Sequence, residues 1–156
     1  AAGEGETVEF KASARWDYRE GRISRDVEGA VVRTIAGFMN HRGGSLLLGV
    51  DDAGVPVGLR HDMASLRRQN RDGFQQFVVE LVERGLGADN CPLLHLLFHA
   101  MESTEICRVV VEPAARPVYL RDAQGAHYFL RTGNGTRELD AREAVDHISA
   151  CWPRRG

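Results

Sequence analysis

Lysine is almost absent from this chain, because Lys11 is the only lysine among 20 basic residues and all the others are arginines. The 22 acidic residues bring the net charge to −2, so the overall charge does not indicate a nucleic-acid partner. Codon bias in the genome would explain the preference for arginine. Where several arginines converge, however, they could clamp phosphate groups.

Several common signals are also missing. No apolar run approaches the roughly 20 residues of a membrane span, and residues 1–6 have no basic or apolar region typical of a signal peptide. The chain does not begin with Met, so we expect a piece of a longer protein. The three cysteines form no C-x-x-C pair and predict reduced thiols in the cytoplasm. No P-loop pattern occurs, so no ATP site is expected.

The order of the predicted elements indicates the fold class. Helices are expected to begin at Asp26, Asp72 and Asp140, with glycines after the first two and Glu143 completing a capping box in the third. Strands mostly follow strands, which predicts an α+β domain with a mixed, largely antiparallel sheet and about three helices. The predicted strands cover 8–12, 45–50, 55–59, 93–99, 106–111, 118–120 and 127–130.

Acidic side chains concentrate in two places. Glu4, Glu6 and Glu9 lie before or on the first strand, and Asp51 and Asp52 lie at the tip of a predicted hairpin. If the two strands are neighbours, the carboxylates could meet around a Mg²⁺ or Mn²⁺ ion that activates water for phosphodiester cleavage. The alternative is a polar turn and a set of solvated glutamates.

Glu9 and Lys11 have the E-x-K spacing found in restriction-type nucleases. Both side chains share one face of a strand, because alternate residues of a strand point the same way. The accompanying aspartate of that fold lies upstream, whereas here the candidate lies downstream. The spacing therefore does not support that fold, and a surface ion pair is the alternative.

The segment 131–137 has a composition suited to phosphate. Its glycines expose backbone N–H groups, its hydroxyls donate hydrogen bonds, and an arginine stands at each end. A tight turn is the alternative. If the segment binds nucleic acid, arginines of the polar segment 16–25 could extend the surface. The candidate nucleic-acid-binding residues are Lys11, Arg19, Arg22, Arg25, Arg131, Thr132, Asn134, Thr136 and Arg137.

His95 and His99 share a face of a predicted strand, and Cys91 and Cys107 are near in sequence. A zinc site is conceivable, but two hydrogen-bonded histidines explain the pattern as well. No H-E-x-x-H or G-x-S-x-G pattern occurs.

Seven segments taken in order resemble one family, the Schlafen-type, AlbA-like nucleic-acid-binding domain. The resemblance runs from about residue 4 to about residue 148 and implies a single Schlafen-type lobe within a domain spanning 1–156. The segments are Glu9-Phe-Lys11, Ile35-Ala-Gly-Phe-Met-Asn40 with Gly43-Gly44, Leu46-Leu-Leu-Gly-Val-Asp-Asp52, Gly54-Val-Pro-Val-Gly58, Asp72-Gly-Phe74, Pro117-Val-Tyr-Leu120 and Tyr128-Phe-Leu-Arg-Thr-Gly-Asn-Gly-Thr136.

The resemblance implies nucleic-acid binding, with RNA preferred over DNA. Some Schlafen members cleave structured RNA such as tRNA with a metal ion and three acidic residues, and Glu4, Glu9 and Asp52 occupy those positions here. The vertebrate nucleases place two lobes in one chain, so this chain would need a homodimer to form their cradle. Their zinc ligands are not recognisable here. A DNA- or RNA-binding regulatory module without catalysis is the alternative function.

Overall fold

The computed structural model describes residues 3–152. Its helices are α1 (Arg25–Met39), α2 (Arg60–Ala64), α3 (Arg71–Leu86) and α4 (Ala141–Cys151), with a 3₁₀ helix at Ala88–Leu93. Its strands are β1 (Val8–Lys11), β2 (Trp16–Asp17), β3 (Arg22–Ile23), β4 (Gly44–Leu48), β5 (Leu94–Met101), β6 (Thr104–Val111), β7 (Leu120–Asp122), β8 (Gly125–Thr132) and β9 (Gly135–Leu139).

The strands form a four-stranded sheet in the order β1-β4-β6-β5, a three-stranded sheet β7-β8-β9, and the small hairpin β2-β3. Among the strand pairings within residues 3–152, only β1-β4 is parallel, and its strands are joined through α1 as a β-α-β unit. These elements confirm the predicted α+β fold with a mixed, largely antiparallel sheet. None of the helices in the described range is long and apolar enough to cross a bilayer.

Helix α1 lies at the centre of the core. Its apolar positions recur at helical spacing, and Ile35 and Phe38 are fully buried. They pack with Leu46 of β4 on one side and with Phe129 of β8 on the other, while α3 contributes Val78 to the same cluster. Because α1 touches both sheets, it places β1 of the first sheet close to β8 of the second.

Two local predictions were wrong, and two elements were missed. Residues 55–59 form no strand, and only an isolated bridge joins Val50 to Pro56. The polar segment 16–25 contains the short strands β2 and β3 instead of being all loop. Strand β9 and helix α2 were not predicted. Glycine and proline interrupt residues 54–58, which prevents a regular strand ladder there.

The helix starts show how local chemistry decides the boundaries. Asp140 and Glu143 form the predicted capping box of α4. For α1 and α3, Ser24 and Asn70 are the N-caps, each two residues before the predicted aspartate. The aspartates fall in the first helical turn instead, where the positive end of the helix dipole favours acidic side chains.

Candidate nucleic-acid interface

Glu9 is a buried carboxylate on an edge strand. Its neighbours Val8 and Phe10 point to the opposite face of the sheet, where Phe10 packs with Val50 and Ile106. Glu9 is only 9% exposed, so its charge requires partners inside the protein.

Two cations supply those partners. Arg131 Nη2 lies 3.0 Å from Glu9 Oε2, and Lys11 Nζ lies 3.3 Å from Glu9 Oε1. Each carboxylate oxygen therefore faces its own cation. The shared face of Glu9 and Lys11 agrees with the period-two prediction for this strand.

Arg131 lies in the interior rather than on an exposed phosphate-binding face, as the sequence had suggested. Arg131 is only 1% exposed, and its guanidinium donates hydrogen bonds to the backbone carbonyls of Gly5 and Val8 and to the carboxylate of Glu9. The guanidinium carbon stands 5.1 Å from the ring centroid of Phe38. Arg131 thus ties the N-terminal segment and β1 to β8. In β8 it follows Phe129 by two residues, so strand alternation could have indicated that it points inward.

The other two predicted acids lie around the same strand. Glu4 Oε1 accepts a hydrogen bond from the backbone N–H of Phe10 at 3.0 Å, which covers the outer edge of β1. Asp52 is exposed in the turn after β4. Its neighbour Asp51 orders that turn, because Asp51 Oδ1 accepts from the backbone N–H groups of Ala53 and Val55.

These residues do not fit a divalent cation as they are arranged. Mg²⁺ and Mn²⁺ need carboxylate oxygens whose charge is available, whereas both oxygens of Glu9 are compensated by Arg131 and Lys11. Across residues 3–152, no group of three or more His, Cys, Asp or Glu side chains is placed to hold a metal ion. Glu4 and Glu9 are bound within the protein around β1, whereas Asp52 stands exposed in the turn after β4.

The segment 131–137 is the tight turn of the β8-β9 hairpin. Thr132 pairs with Gly135, and Gly133 between them has φ +60°, a conformation that favours glycine. Thr132 and Asn134 are exposed, Thr136 is half-buried, and Arg137 forms an ion pair with Glu143 at 2.9 Å. With Arg131 buried and Arg137 paired, this turn presents little uncompensated positive charge.

The cysteines and histidines of the conceivable zinc site are separated. His95 is exposed and bonded to Glu112 at 2.8 Å, whereas Cys107 is buried on the other face of the sheet. Burial raises the pKa of the Cys107 thiol to about 12, so at neutral pH it is protonated and a poor metal ligand.

Comparison with known families assigns the chain. A family model described as Schlafen, AlbA_2 matches residues 4–140. The chain belongs to this Schlafen AlbA_2 family. Family membership makes it a nucleic-acid-related domain, and it agrees with the resemblance found in the motifs of the sequence. Among curated proteins, no match was found.

A solved relative supports the Schlafen AlbA_2 fold. The crystal structure of the DIP2311 protein from Corynebacterium diphtheriae matches with a TM-score of 0.63 over 96% of this chain, at 17% identity. At that identity the likeness concerns the fold alone. The matched part is 28% of the DIP2311 chain, so this Schlafen AlbA_2 domain corresponds to a minor part of that protein.

The remaining predicted arginines lie on or beside the β2-β3 hairpin of the Schlafen AlbA_2 domain. Arg19, Arg22 and Arg25 are exposed, and Arg22 is paired with Glu20. A second set of arginines, which no sequence pattern indicated, lines a groove beside α3 and includes Arg15 and Arg84. These arginines are far apart in the sequence, and only the adjacent Arg67 and Arg68 form a local cluster of positive charge.

Proposed function

We propose that this Schlafen AlbA_2 domain binds nucleic acid without cleaving it. The observation that carries the proposal is the state of Glu9, the central acid of the nuclease pattern, whose two oxygens are held by Arg131 and Lys11. A carboxylate compensated in this way stabilises the edge strand and has little remaining charge with which to attract a cation. Membership of a nucleic-acid-related family supports nucleic acid as the partner.

Metal-dependent cleavage of structured RNA is the second candidate function. It is favoured by one specific observation, namely that Glu4, Glu9 and the turn carrying Asp52 all lie on or next to the paired strands β1 and β4. For this candidate to hold, Glu9 would have to exchange Arg131 or Lys11 for the metal ion. The nuclease candidate therefore requires a divalent cation for cleavage, whereas the binding candidate requires none.

The test measures binding and cleavage together on the same labelled nucleic acids. Fluorescence anisotropy follows tRNA, single-stranded RNA and duplex DNA in Mg²⁺, in Mn²⁺ and in EDTA, and denaturing gels follow strand length. We expect binding to persist in EDTA, with every strand intact, because phosphate binding to arginine needs no metal.

Variants of the acidic residues show whether any cleavage comes from the predicted nuclease site. Glu9→Gln and Asp52→Asn are compared with Glu6→Gln, which removes an exposed carboxylate from the same N-terminal segment. Metal-dependent cleavage that disappears in the first two variants and persists in the third would establish the nuclease and overturn the proposal. The absence of binding to any of the three nucleic acids would also overturn it.

A further inference from the structure

Two neighbouring depressions lie along helices α1 and α3. One is a cavity of about 920 Å³ next to the loop between α2 and α3, and the other is a depression of about 420 Å³ between α1, α3 and β7. Arg84 lines both parts, and Arg15 of the first part lies 3.3 Å from Glu28 of the second, so the two parts adjoin. We call their combined surface the arginine groove, after its arginines Arg15, Arg25, Arg67, Arg68, Arg84 and Arg121.

The arginine groove concentrates positive charge on an acidic protein. Six arginines line it against three glutamates, Glu28, Glu80 and Glu83, whereas the chain as a whole carries a net charge of −2. Within the described part of the chain, Arg67 and Arg84 have no carboxylate within 4.0 Å, and neither do Arg25 and Arg121; Arg68 has one at 3.9 Å. A groove of one predominant sign focuses the electrostatic field and attracts a polyanion.

Arg15 lines the larger cavity of the groove and packs against Phe77 of α3. Its guanidinium carbon stands 4.6 Å above the ring of Phe77, and the side chain is 22% exposed. Its buried Nε has no hydrogen-bond partner among the described residues, since Glu28 Oε2 lies 3.3 Å away without hydrogen-bond geometry. Glu28 therefore offsets the charge of Arg15, but the N–H donors of its guanidinium keep hydrogen-bonding capacity that an anion can use.

A buried acid fixes the loop that carries Arg15. Asp62 of α2 is 1% exposed and accepts hydrogen bonds from the hydroxyl of Ser13 and from the backbone N–H groups of Ala14 and Arg15. Burial raises the pKa of the Asp62 carboxyl, and these hydrogen bonds oppose the rise. These hydrogen bonds hold the loop 13–15 against α2, so little conformational entropy is lost when Arg15 binds a ligand.

The floor of the groove is shaped by a close helix-helix contact. A Cβ at Gly85 of α3 would lie 2.8 Å from Val32 Cγ1 of α1, so glycine lets the two helices approach. Gly29 lines the same depression from the α1 side. Gly29 and Gly85 thus line the depression together with Arg25, Arg84 and Arg121.

We infer that the arginine groove binds the sugar-phosphate backbone of a nucleic acid. Guanidinium groups bind phosphate oxygens in a bidentate geometry that lysine cannot reproduce. The inference rests on the proposed function and adds its location, which is the α1-α3 side of the domain and not the β8-β9 turn. Phosphate is common to RNA and DNA, and the assay separates the two.

The test removes two groove arginines that have no carboxylate partner. Arg67→Ala/Arg84→Ala is compared with Arg137→Ala/Arg142→Ala, which removes two exposed arginines from β9 and α4. Anisotropy titrations use tRNA, single-stranded RNA and duplex DNA at several salt concentrations, and circular dichroism checks the fold of every variant. We expect the groove variant to lose at least about tenfold in affinity, with the salt slope reduced by about 1.8 on duplex and about 1.4 on single strands.

The outcomes separate this inference from the proposed function. If wild type binds and the two double variants bind equally well, the groove inference is overturned while nucleic-acid binding stands. If only the variant at 137 and 142 is weakened, the β8-β9 side is the binding face. If wild type binds none of the three nucleic acids, both proposals are overturned. As a further check, Glu80→Gln/Glu83→Gln should tighten binding, because it removes negative charge that lines the groove.

Discussion

Removing one partner of the buried pair of Arg131 and Glu9 should be among the most destabilising single substitutions in this domain. We predict that Arg131→Met destabilises the fold by about 3 kcal/mol, because it leaves the carboxylate of Glu9 buried with only Lys11 as a charged partner. The two carbonyls that Arg131 reaches, those of Gly5 and Val8, keep backbone contacts to each other's N–H groups. Most of the loss therefore comes from the uncompensated charge.

The size of this loss follows from burial. The Arg131 side chain is 0% exposed and that of Glu9 is 11% exposed, so water screens the pair poorly. Breaking a buried pair by removing one partner costs about 3–5 kcal/mol, and the remaining contact between Glu9 and Lys11 places this case near the lower end. Small domains have about 5–15 kcal/mol of stability in total, so the variant should unfold at a clearly lower urea concentration.

Urea denaturation followed by far-UV circular dichroism measures the effect. The single variants Arg131→Met and Glu9→Gln are combined in a double-mutant cycle, and we expect a coupling free energy of about 1–3 kcal/mol. Arg137→Met is the matched control, because Arg137 belongs to an exposed ion pair with Glu143 and should cost less than about 1 kcal/mol. Arg131→Lys should fall between wild type and Arg131→Met, since it keeps the charge but loses the forked geometry.

Two results would refute this reasoning. A loss below about 1 kcal/mol for Arg131→Met would mean that Glu9 can reach solvent or another cation, and a coupling free energy near zero would mean that the two side chains act independently. In either case Glu9 would be available to a cation, and the nuclease candidate would gain support. Repeating the experiment in 1 M NaCl should change the loss little, because salt screens buried pairs weakly.

Two further predictions concern other parts of the fold. The buried Asn40 side chain donates to the backbone carbonyls of Val118 and Phe129 and accepts from the backbone N–H of Val118. Asn40→Ala should lower the free energy of unfolding in urea by about 2–4 kcal/mol, because it leaves these buried backbone groups unpaired. A loss under about 1 kcal/mol would contradict this. Hydrogen bonds to Glu138 and Asp122 raise the pKa of His127 above its ordinary value of 6.5. The stabilisation from His127 is therefore fully present below pH 6.5 and is lost as pH rises through the folded-state pKa. An NMR titration should show that Glu138→Gln lowers the pKa of His127, and an unchanged pKa would disprove the contact.

Much of the architecture could be predicted from local patterns. The helical spacing of apolar residues in α1 and α3, the capping box at Asp140 and Glu143, and the strands β5 and β6 are all properties of neighbouring residues. Such signals depend on periodicity and on backbone hydrogen bonding within a few positions, so a single sequence contains them. Where the local signal was broken, as at 55–59, the prediction was wrong.

The candidate site depended on contacts that no local pattern contains. Glu9 and Arg131 are 122 positions apart, and only the docking of β8 beside β1 brings them together. The sequence made Arg131 look like part of a phosphate-binding turn, because glycines and hydroxyls follow it. The tertiary structure buried it as the partner of an acid instead.

The same distinction applies to charge. The sequence by itself determined that the chain is slightly acidic, that its cations are almost all arginines, and that it has the motifs of the Schlafen AlbA_2 family. It could not determine which arginines act together, because Arg15, Arg67 and Arg84 come from separate elements. Only the tertiary packing, which stacks Arg15 on Phe77 of α3, lines them along one cavity, since electrostatic fields add according to distance in space and not according to position in the chain.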